Sequence, residues 1–177
     1  TCNAAGTVSE LNISGQELNG TLAQFNFSSF PDLTSLNMSS NLLWDVIPVE
    51  IGNLTELEYL SFDDNYLTGT IPYQISHLQK LQYLDLGSNY LLNPNWSLFL
   101  DMPLLTQLNL YYNNISLEFP SFIIRARNLR FLDLSVNKLT GSIPESVFTH
   151  LTNLEFLNLN DIYWKGHCQE IFPSFPN

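Results

Sequence analysis

The sequence predicts an α/β-type solenoid with a parallel sheet on its concave side and irregular or short-helical segments on its convex side. Three observations carry this expectation. The pattern L-x-x-L-x-L-x-x-N-x-L recurs from Leu33, Leu57, Leu81, Leu105, Leu129 and Leu154, at steps of 24, 24, 24, 24 and 25 residues. Asn41, Asn65, Asn89, Asn113 and Asn137 form a column in its asparagine slot. Units then continue L-x-G-x-I-P, as in "LTGTIP" from Leu67 to Pro72 and "LTGSIP" from Leu139 to Pro144. A period of this length marks units that cannot bury their apolar faces alone and share one core by stacking.

Each element follows from local chemistry. In L-x-L the side chains alternate, so the leucines point inward and the intervening residues outward. One short strand per unit therefore pairs with the next. After the strand the chain turns inward, and a buried turn must satisfy its backbone N–H and C=O groups. The asparagine amide offers both donors and an acceptor, so a stack of them bridges successive turns. Proline then ends strand pairing and sets an extended turn before the convex crossing. A degenerate earlier copy, "VSELNISGQEL" from Val8, carries Gln16 in the asparagine slot and brings the total to about seven units. The expected organisation is an N-terminal cap end and degenerate repeat over 1–32, five regular repeats over 33–153, and a last repeat with a capping tail over 154–177.

Bulk properties exclude several functions. The 177 residues carry 17 acids and 6 bases, a net charge of −11. Nucleic acids and anionic lipid surfaces both need basic protein faces, so neither is expected as a partner. No run of about 20 apolar residues is present to insert in a membrane. Seven Asn-x-Ser/Thr sequons stand at Asn12, Asn19, Asn26, Asn37, Asn53, Asn95 and Asn114. Composition alone would give roughly three. The excess points to a secreted, extracellular chain bearing N-linked glycans, although an asparagine-rich repeat also generates sequons cheaply.

The 24-residue unit with L-x-G-x-I-P resembles the plant-specific class of leucine-rich repeats. That class builds the ectodomains of plant receptor kinases and receptor-like proteins, and the polygalacturonase-inhibiting proteins. The opening "TCNAAGTVSELNISGQELNGTL" looks like the end of the N-terminal cap of such receptors. "GTIPYQISHLQKLQYLDLGSNY" and "FPSFIIRARNLRFLDLSVNKLTGSIPES" are similar to their repeats, and the likeness extends to about Asn160. The resemblance implies a leucine-rich-repeat solenoid displaying peptide or protein binding, with a co-receptor ectodomain as a further candidate partner. In that class the cap cysteine pairs with one a few residues upstream; no such cysteine precedes Cys2 in this sequence, which leaves a lost upstream segment, a free thiol or an intermolecular link.

Catalysis finds little support in the residues. His77 and His150 fall in equivalent convex positions three repeats apart, so they lie roughly 14 Å or more from each other and cannot share a metal or form a dyad. His167 beside Cys168 has no further ligand nearby in sequence. No phosphate loop or nucleophile motif occurs. The chain is read as a non-enzyme with no cofactor and no metal.

Binding candidates come from the outward positions. The first column runs Glu10, Ser35, Tyr59, Tyr83, Gln107, Phe131, Phe156, and the second Asn12, Asn37, Ser61, Asp85, Asn109, Asp133, Asn158. The third runs Ser14, Ser39, Asp63, Gly87, Tyr111, Ser135, Asn160, and the fourth Gly15, Ser40, Asp64, Ser88, Tyr112, Val136, Asp161. The candidate concave site is Tyr59, Asp63, Asp64, Tyr83, Asp85, Tyr111, Tyr112, Phe131, Asp133 and Phe156. Aromatics rimmed by acids offer rigid contact area with electrostatic selection; cross-strand stacking that only stiffens the sheet is the alternative. The acids suggest a basic or amine-bearing ligand, against ordinary solvated charge. Glycans on Asn12 and Asn37 would block the N-terminal part of the face and leave a partner the surface from Tyr59 onward.

Two further expectations concern the ends. Cys2 and Cys168 are too far apart to bridge, at about 29 Å between first and last strands against a Cα limit of about 7 Å. Cys168 is either a small buried hydrophobe or half of a cap bond. In "WKGHCQEIFPSFPN" the repeat signature lapses, and Tyr163, Trp164, Phe172 and Phe175 suggest an improvised terminal cap. The expected function is an extracellular, non-catalytic recognition module, receptor-like or a soluble decoy. The alternative is an inhibitor of a secreted microbial cell-wall hydrolase.

Overall fold

A computed structural model describes residues 1–116 and 118–162. Cys168, His167 and the expected capping tail lie outside the described residues, and the closing part of the last unit with them. Among the described residues there are ten short strands: β1 (Glu10–Asn12), β2 (Asn19–Thr21), β3 (Ser35–Asn37), β4 (Leu42–Val46), β5 (Tyr59–Ser61), β6 (Tyr66–Thr68), β7 (Tyr83–Asp85), β8 (Gln107–Asn109), β9 (Phe131–Asp133) and β10 (Phe156–Asn158). Seven of them form one parallel sheet in the order β1-β3-β5-β7-β8-β9-β10. Its register pairs Tyr59 with Tyr83, Tyr83 with Gln107, and Gln107 with Phe131, as the repeat spacing requires. The two 25-residue steps are accommodated too, since Glu10 pairs with Ser35 and Phe131 with Phe156. The solenoid and its concave parallel sheet are thus as the sequence implies.

The core is one continuous column. In the unit starting at Leu57, the side chains of Leu57, Leu60, Phe62, Leu67 and Ile75 are fully buried. Each stacks on its counterparts from the units before and after, so removal of one leaves a gap that neighbouring turns cannot collapse to fill.

The asparagine column works as expected. Asn89, 3 % exposed, donates through Nδ2 to the Phe62, Leu86 and Gly87 carbonyls and accepts from the Leu67 amide. Asn65, Asn113 and Asn137 repeat this pattern on their own units. Each ties its own turn to the unit before it. Asn41 binds the amides of both Gln16 and Leu18. Gln16 therefore does not replace an asparagine; it sits exposed while its own backbone is capped from the next unit.

The L-x-G-x-I-P segment holds more order than its sequence suggests. β2, β4 and β6 form a second parallel sheet along the flank. Isolated bridges Thr70–Leu92 and Glu118–Thr140 continue it. Proline comes only after these strands, so it does not prevent their pairing. Its role is to open the convex turn: the Pro48, Pro72 and Pro144 carbonyls accept from the Ile51, Ile75 and Val147 amides. Convex turns are mostly 3-10, at Val49–Asn53 and Tyr73–His77 for example, with one α-helix, α1 (Glu145–His150).

The variant unit "YLLNPNWSLFLDM" keeps this plan by other means. Trp96, Phe99 and Phe122 pack ring on ring, with centroids 4.9 to 5.2 Å apart. Trp96 is buried and fills the space beside the neighbouring turn.

Candidate functional site

The first outward column becomes two stacks of rings. Tyr59 and Tyr83 lie 4.3 Å apart and within 8° of parallel, and Phe131 and Phe156 lie 4.5 Å apart at 3°. Gln107 separates the stacks on the strand between. The spacing follows from in-register pairing of parallel strands, which puts like positions one strand apart.

The second column has a structural duty that its outward position conceals. Asn12, Asn37, Asp85, Asn109, Asp133 and Asn158 each accept, through Oδ1, the amide two residues on, at 2.8–3.2 Å. This side-chain turn ends the strand. Asp85, 7 % exposed, also accepts from the Tyr83 hydroxyl at 3.0 Å and from Asn109 Nδ2 at 3.1 Å. Asp133 accepts from Asn158 Nδ2 at 2.9 Å. Both carboxylates are therefore committed internally, which removes Asp85 and Asp133 from the groups free to meet a partner. Burial, followed by the Asp85 charge, holds the Tyr83 phenol protonated far above its ordinary range.

Asp63 differs. Its unit has Ser61 in the second column. Asp63 is half-buried, and its Oδ1 is closed to water without a hydrogen-bond partner. Burial first, then the charges of Asp85 and Asp64, push its pKa up to about 6; the Asp64 amide and the Tyr111 hydroxyl oppose this. Tyr111 lies across Gly87. A Cβ at that position would stand 2.3 Å from ring carbons Cδ1 and Cε1 and 3.0 Å from Asp63 Oδ1. Only a residue without a side chain admits the ring there. Burial and the Asp63 charge raise the Tyr111 pKa in turn. A carboxyl and a phenol thus share a niche beside the Tyr59–Tyr83 stack, where proton and charge are finely balanced.

The fourth column does not belong to the sheet face. Gly15, Ser40, Asp64, Ser88, Tyr112, Val136 and Asp161 all adopt positive φ, between 49° and 64°. This left-handed residue reverses the chain into the asparagine turn, and it swings its side chain off the sheet. Asp64 and Tyr112, expected on the concave face, instead line a lateral groove. One hollow there, of about 290 Å³, is lined by Glu17, Asp64, Tyr66, Tyr90 and Tyr112 among others. A second, of about 640 Å³, continues past Tyr112 to Val136, Lys138 and Asp161. Tyr66 and Tyr90 were not among the sequence candidates. Both occupy the slot directly after the asparagine, and aligning that slot as a further column would have found them.

The remaining candidates scatter. His77 and His150 are exposed on the convex side, at the ends of their turns. Among the described residues, no three His, Cys, Asp or Glu side chains come together to hold a metal, and no helix is long and apolar enough to cross a membrane. Cys2 is exposed with a free thiol. Of the sequons, Asn12, Asn19, Asn26, Asn53 and Asn95 are exposed, while Asn37 and Asn114 are partly covered.

Comparison with known proteins follows the geometry closely. Family models of the leucine-rich repeat match residues 32–54, 55–115 and 127–164. A 57-residue stretch is 49 % identical to the Arabidopsis thaliana LRR receptor-like serine/threonine-protein kinase RGI3, covering 32 % of this chain and 5 % of that one. The ectodomain of the Arabidopsis thaliana membrane receptor kinase GASSHO1/SCHENGEN3, solved with CASPARIAN STRIP INTEGRITY FACTOR 2, superposes with a TM-score of 0.85 at 32 % identity, over 96 % of this chain and 20 % of that one. The Arabidopsis receptor kinase HAESA, solved with the peptide hormone IDA and the co-receptor SERK1, gives 0.72 at 26 % identity over 93 % and 36 %. The chain therefore spans a small part of the receptors it matches.

Proposed function

Since the chain belongs to the leucine-rich-repeat family, we propose that it is an extracellular, non-catalytic recognition module that binds a peptide or protein segment on its concave sheet, as part of a receptor or as a soluble decoy. The observation that carries this reading is the niche of Asp63 and Tyr111 across Gly87. The niche holds a half-buried carboxyl that is incompletely satisfied from within the chain and whose charge burial disfavours, on a face otherwise built to satisfy its polar groups. A ligand ammonium or guanidinium over this half-exposed carboxyl would offset its charge, and the Tyr59–Tyr83 stack beside it offers rigid apolar area. The complexes of HAESA with a peptide hormone and of GASSHO1/SCHENGEN3 with an integrity factor support peptide recognition and an extracellular location. A co-receptor ectodomain is a further partner on the same grounds.

Selection from a phage-displayed peptide library tests this directly. Selected peptides should bind at least tenfold more weakly when Tyr59 and Tyr83 are both changed to Ala, and again when Asp63 is changed to Ala. Peptides that bind both variants as well as the parent chain would refute the concave site. Glycopeptide mapping of chain secreted from plant cells completes the test. Sugar on Asn12 and Asn37 would confine the ligand to the surface from Tyr59 onward.

A further inference from the structure

The lateral groove carries a second site. At the fourth-column position a left-handed backbone is imposed, and Gly15, Ser40, Asp64, Ser88 and Asp161 are small or turn-tolerant residues. Tyr112 and Val136 are neither, yet they take φ 49° and 52° there. A non-glycine residue in that conformation costs roughly 1–2 kcal/mol. The cost brings no internal packing, because Tyr112 remains 56 % exposed. Strain held at an exposed aromatic is a mark of a surface kept for contact.

The neighbours of Tyr112 define what it would contact. Tyr66 and Tyr90, each 49 % exposed, share its hollow. Their rings form a nearly parallel stack with centroids 6.2 Å apart, looser than the 4.3 Å of the Tyr59–Tyr83 pair, and each keeps about half of its surface exposed. The asparagines at the floor spend their amides on the backbone and offer nothing to a ligand. The charged residues of the hollow are Glu17 and Asp64, with no base among them. Three tyrosine rings with two carboxylates favour a cation, and a flat guanidinium suits aromatic rings better than an ammonium does. We propose that the hollow formed by Tyr66, Tyr90, Tyr112, Asp64 and Glu17 is a cation-binding aromatic box that takes an arginine side chain of a partner polypeptide. It lies on the flank, beyond the left-handed turn, and can be filled whether or not the concave face is occupied.

The probe is the tripeptide N-acetyl-Gly-Arg-Gly-amide, with its neutral isostere in which citrulline replaces arginine. Both are titrated into isotopically labelled protein and followed by amide chemical shifts. The arginine peptide should shift the amides of Ser88, Tyr90, Tyr112 and Asn113, about tenfold more tightly than the citrulline peptide, and raised salt should weaken it. Asp64→Asn and Tyr112→Gly should each abolish the response. Tyr112→Gly suits the backbone conformation and should fold at least as well as the parent, so loss of response cannot be laid to unfolding. The Tyr59→Ala plus Tyr83→Ala variant should keep the response, which separates this site from the concave one. Equal shifts with citrulline, no shifts, shifts confined to the concave strands, or an undiminished response in Tyr112→Gly would each overturn the proposal.

Discussion

The turn at Asn89 and the turn at Asp63 lie one strand apart, and their polar groups meet opposite fates. Asn89 is buried and both ends of its amide are engaged, with three donations and one acceptance. Asp63 is only half-buried, yet one oxygen is closed to water with nothing to accept from. Motif positions are under a constraint that every unit must meet, because each turn buries the backbone of the next. Variable positions are free of it. A polar group at a variable position can therefore stay incompletely satisfied without breaking the stack.

Four substitutions press on that contrast. Asn89→Ala should have the largest effect. It strands the Leu67 amide in the core and takes one of two donors from each of the Phe62, Leu86 and Gly87 carbonyls, and should cost about 3 kcal/mol in denaturant unfolding. A cost under about 1 kcal/mol would erase the difference between the two turns. Gly87→Ala comes next, because its Cβ must displace the Tyr111 ring. We expect a loss of about 2 kcal/mol, largely relieved when Tyr111→Ala is added, with the double-mutant cycle as the measurement.

Asp63→Asn should act in the opposite direction. The folded pKa of Asp63 is raised from 3.8 to about 6, so the folded chain holds this proton more tightly than the unfolded chain. Between those values stability should fall as pH rises, and above about pH 6 the charged carboxylate is a net liability. After allowance for solvent screening, the variant should gain on the order of 1 kcal/mol above that pH, or roughly 2–4 °C in melting temperature. It should gain little below pH 4. An unchanged pH profile would mean that solvent or a neighbouring donor already satisfies the carboxylate. The smallest effect is expected at Val136, a β-branched residue at φ 52°. Val136→Asn should stabilise by about 0.5 kcal/mol, since asparagine tolerates the left-handed region and valine does not.

The period made much of this legible. Once Leu57 and Leu81 are aligned, the pairing of Tyr59 with Tyr83 follows, and so does the role of Asn65 and Asn89. What the period could not show is how an outward residue uses its polar atoms. Asp85 and Asp63 read as equivalent acids in one patch. The first caps its own turn and the second does not, because the two stand in slots two residues apart with different backbone geometry. Asp64 and Tyr112 read as concave because strand alternation was carried one residue too far, past the point where φ changes sign. The second sheet is not legible from the period, because Pro72 signals an end to strand pairing, whereas it follows β6 and leaves it undisturbed.

The convex turns have a consequence for how such a chain varies in length. Two units are 25 residues long rather than 24, yet the concave register is unbroken. In the later one the crossing is α1, Glu145–His150, where shorter units carry five-residue 3-10 turns such as Val49–Asn53. At about 1.5 Å per residue the six-residue α-turn spans about 9 Å, and at about 2.0 Å the five-residue 3-10 turn spans about 10 Å. A change of helix type thus absorbs the inserted residue at nearly constant length. The outer rim behaves as a slip joint: it takes up a residue while the inner face, where contacts are made, stays in phase.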